Sequence, residues 1–314
     1  MPTPIFALGK HRSGTTWLGN QLCQHPLIAG VTHERHKGIH ESAYFCSIYN
    51  RYGNLGIKAN YMEFVEVIGA SDYFRLAGIS KEFLYSLFPT TYEEVFRIAM
   101  DNYAAKQGAA FWVEKSPAHT LEVELLATLY PDAKFIAIIR DLESVTASTL
   151  YHTEPGAPDA PSRQRHLIST VLNWTHYNKV IKTFHAKSDR MLLLRYKALR
   201  SDLKSVMQQI CAFLEVDFDP AMCKQTFVPN SSFQTQKRDK ALSVTEKKQV
   251  KLISGLANLI PLNVINYLYE KARRNKRQSL PWWFFKLHEF NNNGSELFNE
   301  ELKSFLKENK NAAI

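Results

Sequence analysis

The sequence predicts a three-layer α/β/α fold around a central parallel sheet, and three observations carry the prediction. The apolar run Ile5–Leu8 is short enough for a buried strand and feeds a glycine-containing turn, after which Leu18 and Leu22 fall on one helical face. Lys134–Ile139, KFIAII, is an unbroken apolar run, as in the buried middle of a parallel sheet. Strand-like and helix-like stretches then alternate along the chain, the order that builds a parallel sheet with helices on both faces. The expected organisation is an α/β domain over residues 1–240 with a helical insertion at about 60–107, and a helical extension over 241–314 packed on the same domain.

The N-terminal turn reads Gly9–Lys10–His11–Arg12–Ser13–Gly14–Thr15–Thr16. A strand that runs through a glycine loop into a helix start aims free backbone N–H groups and the positive end of the helix dipole at one spot, a ready anion site. Gly9 and Gly14 have the spacing of G-x-x-x-x-G-K-[ST], and Thr16 supplies the hydroxyl. Thr15 stands where the lysine belongs, and the cation has moved to Arg12. The loop therefore reads as a phosphate binder that has lost the point charge used to grip the β- and γ-phosphates of ATP or GTP.

Further along, residues 29–42 are crowded with Thr32, His33, Glu34, Arg35, His36, His40 and Glu41. Residues 60–107 combine helical spacings with many aromatics, and Pro89–Glu93 marks a helix start among them. Ala110–Val113 is a short strand ending at Glu114–Lys115–Ser116–Pro117, followed by a helix from His119 to Tyr130. A helix begins near Leu142, residues 153–163 form a Pro/Gly-rich surface loop, and residues 166–187 form another helix. Met191–Leu194 is a strand and Ser205–Leu214 a helix. Ligands of such sheets sit beyond the carboxyl ends of the strands. Arg12, Lys115, Arg140 and Arg195 all fall just past an expected strand end, a convergence of four cations.

Beyond Ser243 the pattern is helical. Ser243 and Glu246 have capping-box spacing, and a second helix near Pro261 ends in the basic run 271–277. Residues 271–287 join that run to Trp282–Trp283–Phe284–Phe285. The composition suits a peripheral membrane interface or docking surface, and equally a segment that packs its aromatics on the core with its cations in water. A final amphipathic helix is expected around Glu296–Lys307.

Net charge is +9 with a pI near 9.2, which favours an anionic ligand, membrane surface or nucleic acid without choosing among them. The cysteines Cys23, Cys46, Cys211 and Cys223 have no C-x-x-C spacing, so reduced thiols are expected. With neither a leader pattern nor an apolar run of the roughly 18 residues a span needs, a cytoplasmic location is expected, with peripheral membrane contact through 271–287.

Two motifs together resemble the sulfotransferase superfamily that uses 3′-phosphoadenosine-5′-phosphosulfate (PAPS), nearest to its protein-tyrosine, glycan-modifying and bacterial branches. Arg12–Ser13–Gly14–Thr15–Thr16–Trp17 is similar to the family's 5′-phosphosulfate loop. Arg140 after KFIAII, with Ser148 eight residues on, is similar to its 3′-phosphate element. An arginine at a strand end is a bidentate phosphate fork, and a serine about two turns into the next helix adds a hydroxyl on the same face. Leu142 stands where the family usually has proline. Leu193–Leu199 resembles the family's strand and Tyr-Glu-x-Leu signature, with Lys197 in place of glutamate. The resemblance covers about residues 4–220.

It implies PAPS as donor, 3′,5′-ADP as product, no metal, and a hydroxyl acceptor on a glycan, lipid, phenol or tyrosine. Arg12, Ser13, Gly14, Thr15 and Thr16 would cradle the phosphosulfate, and Trp17 and Tyr196 would flank the adenine. Arg140 and Ser148 would hold the 3′-phosphate, with Lys237 and Arg238 in a loop closing over it. Lys115 would be a second cation at the sulfuryl group. Glu34 is the expected base, with His33 next, Glu41 or His40 behind, and His119 an outsider. Residues 60–107 and 153–165 would wall the acceptor pocket.

Three rivals stand beside this reading. His33, Glu34, His36 and His40 could converge on zinc, although their spacing matches no tight signature. A P-loop nucleotide kinase or NTPase lacks the lysine after Gly14 and an obvious acid closing an apolar strand. A non-catalytic nucleic-acid or membrane binder rests only on charge and the basic-aromatic stretch.

Overall fold

The computed structural model describes residues 1–153, 161–224, 242–274, 280 and 282–285. Five strands form one parallel sheet: β1 (Thr3–Leu8), β2 (Ile28–Gly30), β5 (Phe111–Glu114), β6 (Lys134–Ile139) and β7 (Met191–Arg195), in the spatial order β2-β5-β1-β6-β7. A separate two-stranded antiparallel ribbon is made of β3 (Thr32–His33) and β4 (Gly38–Ile39). The α/β/α class is as expected.

The apolar runs of β1 and β6 are continuous because both faces of the sheet are covered, and the two-residue period of a strand sorts their side chains. Phe6, Leu8, Phe135 and Ala137 enter one core with Trp112. Ile5, Ala7, Ile136 and Ile138 enter the other with Val113. The first face is covered by the aromatic insertion, α2 (Lys58–Ala70), α3 (Asp72–Leu76), α4 (Lys81–Ser86) and α5 (Tyr92–Lys106), together with α6 (Val123–Leu129) and the long α8 (Pro161–His185). The second is covered by α1 (Thr15–Leu22), α9 (Tyr196–Ser201) and α10 (Leu203–Leu214). Thr91 and Glu94 close both arms of a capping box at α5, where the sequence marks a helix start.

The crowded segment after His25 is more ordered than its polarity suggests. Ile28–Gly30 adds the edge strand beside β5, and β3–β4 folds back on α1. Asn20 holds that ribbon: its Nδ2 donates to the Lys37 carbonyl at 3.0 Å, and its Oδ1 accepts from Ile39 N–H at 2.7 Å. Gly38 allows the approach, because a Cβ there would lie 2.0 Å from Asn20 Oδ1.

α7 (Leu142–Thr153) follows β6, and α8 begins five residues before the expected start. Ser243 and Glu246 form their capping box at α11 (Val244–Leu259), followed by α12 (Leu262–Arg274). α11 packs along α8, and Arg163 Nε donates to Glu246 Oε1 at 2.7 Å across that junction. Phe284 and Phe285 are buried in the core beside α3, so these two aromatics are not available to a membrane. Lys237 and Arg238, most of the 153–163 loop and the expected helix at 296–307 lie outside the described residues.

Candidate active site

The glycine loop leaves the carboxyl end of β1, the central strand, and is wound by three residues of positive φ: Gly9 (151°), Arg12 (72°) and Gly14 (96°). Gly14 is required twice. It is the left-handed N-cap of α1, and a Cβ would meet the Tyr196 ring at 2.6 Å. No side chain caps α1, so Thr15 and Thr16 are not used as ordinary helix caps. The loop is tied down from behind, where Gly9 N–H donates to Thr120 Oγ1 at 2.8 Å.

The two phosphate-type elements, far apart in sequence, meet. Arg12 Nε donates to Ser148 Oγ at 2.9 Å, and Arg140 Nη1 donates to the Arg12 carbonyl at 2.9 Å. The Arg140 guanidinium lies 4.4 Å over the Tyr196 ring, and Trp17 meets the same ring edge-on at 6.0 Å. Burial and the neighbouring Arg140 charge pull the Arg12 guanidinium below its ordinary pKa. Two like charges held this close in partly buried ground favour an anion between them. A cavity of about 670 Å³ opens beside Arg140, with Arg195, Lys197, Arg200 and Lys182 on its walls against Asp141. A second cavity, of about 590 Å³, lies at the amino ends of β2 and β5 among Glu215, Asp217 and Asp219, remote from the loop.

A second cluster forms at the end of β5. Lys115 is 2% exposed, and its Nζ donates to Glu41 Oε1 at 2.6 Å. Both groups lie within electrostatic reach of His11 in the glycine loop. Glu114, the last residue of β5, turns the other way into the core. Its Oε1 accepts from Ser42 N–H (3.2 Å), Ser42 Oγ (2.7 Å) and Ser116 Oγ (2.5 Å), and its Oε2 pairs with His119 Nδ1 at 2.7 Å. An acid does close an apolar strand, contrary to expectation, but these donors occupy its oxygens and leave no face for a magnesium ion.

The same network fixes His119. Its carboxylate neighbour pulls its pKa upward, yet Phe45 N–H donates to Nε2 at 3.0 Å, so that nitrogen carries no proton and the ring is the Nδ1–H tautomer. His119 is fully buried with both nitrogens engaged, which removes it as a base. Ser116 Oγ accepts from Ala43 N–H, and Ser42 Oγ accepts from Tyr44 N–H. The network thus suspends the segment directly after Glu41.

Glu34 is exposed at the start of the 3-10 turn between β3 and β4, and His33 is half-buried beside it. His36 pairs with the buried Asp72 at 3.2 Å and stacks on His40 at 3.6 Å between ring centroids. Among the described residues, the groups able to hold a metal ion are His36, His40 and Asp72, their ligand atoms within 4.8 Å of one another, without Glu34 or His33. The His36–Asp72 contact ties the ribbon turn to α3, with His40 stacked against it. Asp72 was missed because nothing near position 72 marks it as a partner of the histidines.

The family model described as the sulfotransferase family matches residues 4–220. The chain belongs to that family. No curated protein matches its sequence. Among solved structures, the sulfotransferase domain of the Synechococcus PCC 7002 olefin synthase is 20% identical with a TM-score of 0.51, covering 83% of this chain and 96% of its own. The sulfotransferase domain of the curacin biosynthetic pathway is 20% identical, TM-score 0.48, covering 90% of this chain and 99% of its own. Mouse sulfotransferase SULT7A1, solved in complex with PAP, is 13% identical, TM-score 0.40, covering 87% and 89%.

In this sulfotransferase the Glu114 network makes a testable demand. Burial alone would raise the Glu114 pKa, but its pairing with His119 and the hydroxyls of Ser116 and Ser42 outweigh that and hold it below the ordinary carboxylate range. A depressed pKa contributes stability above the unfolded-state value, and that contribution is lost as pH falls through the folded one. Glu114→Gln sets an amide NH₂ against His119 Nδ1–H, and the other tautomer sets Nε2–H against Phe45 N–H. The expected loss at pH 7 is about 3 kcal/mol, shrinking in the acid range below about pH 4.5. Urea melts from pH 3 to 7 (roughly the span of carboxylate titration) measure it, and an equal loss at every pH would refute the ionised Glu114 carboxylate.

Proposed function

We propose that this sulfotransferase moves a sulfuryl group from PAPS to an acceptor hydroxyl, with Glu41 rather than Glu34 as the base. The single observation that carries the donor reading is the Arg12–Ser148 hydrogen bond. It joins the loop after β1 to the middle of α7 and puts cations and a hydroxyl where two separate phosphates can sit. These donors suit phosphate: a guanidinium fork, a hydroxyl and an uncapped helix start.

The donor supplies an activated sulfur whose leaving group is a phosphate oxygen. Arg12 and the N-terminal amides of α1 oppose the charge that grows on that oxygen. Arg140 and Ser148 bind the 3′-phosphate, and Tyr196 and Trp17 offer rings to the adenine. Glu41 accepts the acceptor's hydroxyl proton as its oxygen attacks sulfur, and Lys115 steers Glu41 and adds a cation beside the loop. Glu41 is favoured over Glu34 because it contacts Lys115 at the end of β5, whereas Glu34 lies exposed in the ribbon turn. A cytoplasmic location remains part of this proposal.

Calorimetry of 3′,5′-ADP beside ADP and ATP, without magnesium, tests the donor site. The expected result is 3′,5′-ADP binding at least about tenfold tighter than ADP, the worth of one charge-assisted phosphate contact. Equal affinities would mean that Arg140 and Ser148 do not read a 3′-phosphate. Magnesium-dependent ATP hydrolysis would return the NTPase reading.

A further inference from the structure

We propose that the protein seats on an anionic bilayer through the outward face of α11 and α12. From Leu252 to Tyr269 the chain holds no Asp, Glu, Lys or Arg, although 22% of the sequence is charged. On α11, Leu252 (65% exposed), Leu256 (59%) and Leu259 (79%) recur at spacings of four and three, forming one helical stripe, while Val250 and Ala257 on the other side are buried. Val264, Tyr267 and Leu268 repeat the pattern on α12 and are likewise exposed. Single surface leucines are common; a run of large apolar side chains along two consecutive helices marks a contact surface.

The charges choose the occupant. Lys247, Lys248 and Lys251 precede the uncharged stretch, and Lys271, Arg273, Arg274, Lys276 and Arg277 follow it. The only acids in residues 244–277 are Glu246, which pairs with Arg163, and Glu270. A second copy presenting this face would bring cations onto cations, whereas anionic headgroups complement them. Among the described residues no single helix is long and apolar enough to cross a membrane, and the chain bends by 103° between α11 and α12. An apolar face between basic flanks on two short bent helices suits attachment in the plane of the interface. The contact expected at 271–287 thus shifts toward the N-terminus, away from the buried Phe284 and Phe285. This surface stands independently of the donor reading.

The test is sedimentation of the full chain with vesicles of phosphatidylcholine alone and with roughly a third phosphatidylglycerol. The protein is expected to pellet with the anionic vesicles only, and to release as salt is raised from about 0.05 to 0.5 M. Leu256→Asp/Leu259→Asp changes side chains that already face water, so the thermal melt is expected to stay put while partitioning falls at least about tenfold. A wild type left in the supernatant with both vesicles, or a variant that pellets like wild type, would overturn the proposal. So would a dimer by light scattering that the double variant disperses without any pelleting, which would give the face to a second copy. A Leu256→Cys thiol shielded from a water-soluble maleimide in the lipid-free monomer would show residues 286–314 already covering it, and would overturn the proposal too.

Discussion

Arg12→Ala is expected to lower turnover by a factor on the order of 10³, the cost of removing a preorganised donor from a developing oxyanion. Arg12 sits in the loop with a positive φ of 72°, its guanidinium fixed to Ser148 and its carbonyl held by Arg140. Lysine at this position keeps the charge but loses the planar fork, so Arg12→Lys is expected to recover only part of the loss. Arg140→Ala separates binding from chemistry: the preference for 3′,5′-ADP over ADP should disappear, with a smaller fall in kcat than in kcat/KM. Because Arg12 and Arg140 repel each other without an anion, 3′,5′-ADP should raise the Tm of the wild type and much less that of Arg140→Ala. Full activity in Arg12→Ala would remove the loop from the chemistry, and an unchanged nucleotide preference in Arg140→Ala would remove the 3′-phosphate assignment.

The parts legible in the sequence were those where local pattern and tertiary role agree. KFIAII reads as a central strand because a strand covered on both faces must be apolar at every position, and the structure sorts its side chains alternately into two cores. The strand–loop–helix turn was legible because Gly9 and Gly14 stand at the spacing that such a turn needs, and both take positive φ. Glu114 and His119 were legible only as a strand end and an outsider for the base. Five residues of separation say nothing of a pairing, and only burial reveals that each is consumed by the other and by the backbone at Ser42 and Phe45. The apolar face of α11 and α12 was hidden as well, since a helical period looks the same whether its stripe meets a core or faces outward.

Glu41→Gln is expected to cut turnover by about 10²–10⁴ while 3′,5′-ADP affinity stays within about threefold. The Ser42–Phe45 segment hangs from Glu114, Ser116 and His119, so the backbone of Glu41 is fixed at the carboxyl end of β5 beside the loop. Its side chain is 24% exposed, open enough to meet an acceptor, and Lys115 orients it at 2.6 Å. Glu34 has no such support, since it starts a 3-10 turn at the ribbon's end with its side chain in water. Glu34→Gln is therefore expected to keep the wild-type rate within about a factor of two. The change at Glu41 also strands Lys115, a nearly fully buried cation, so a lower rate alone would not prove base catalysis. The pH–rate profile separates the roles: loss of a base removes the acid limb, whereas a displaced Lys115 lowers the whole curve. Glu41→Asp keeps the carboxylate and should restore the limb at a reduced rate. If Glu34→Gln loses the acid limb instead, the ribbon must close over the loop during turnover, and the base assignment passes to Glu34.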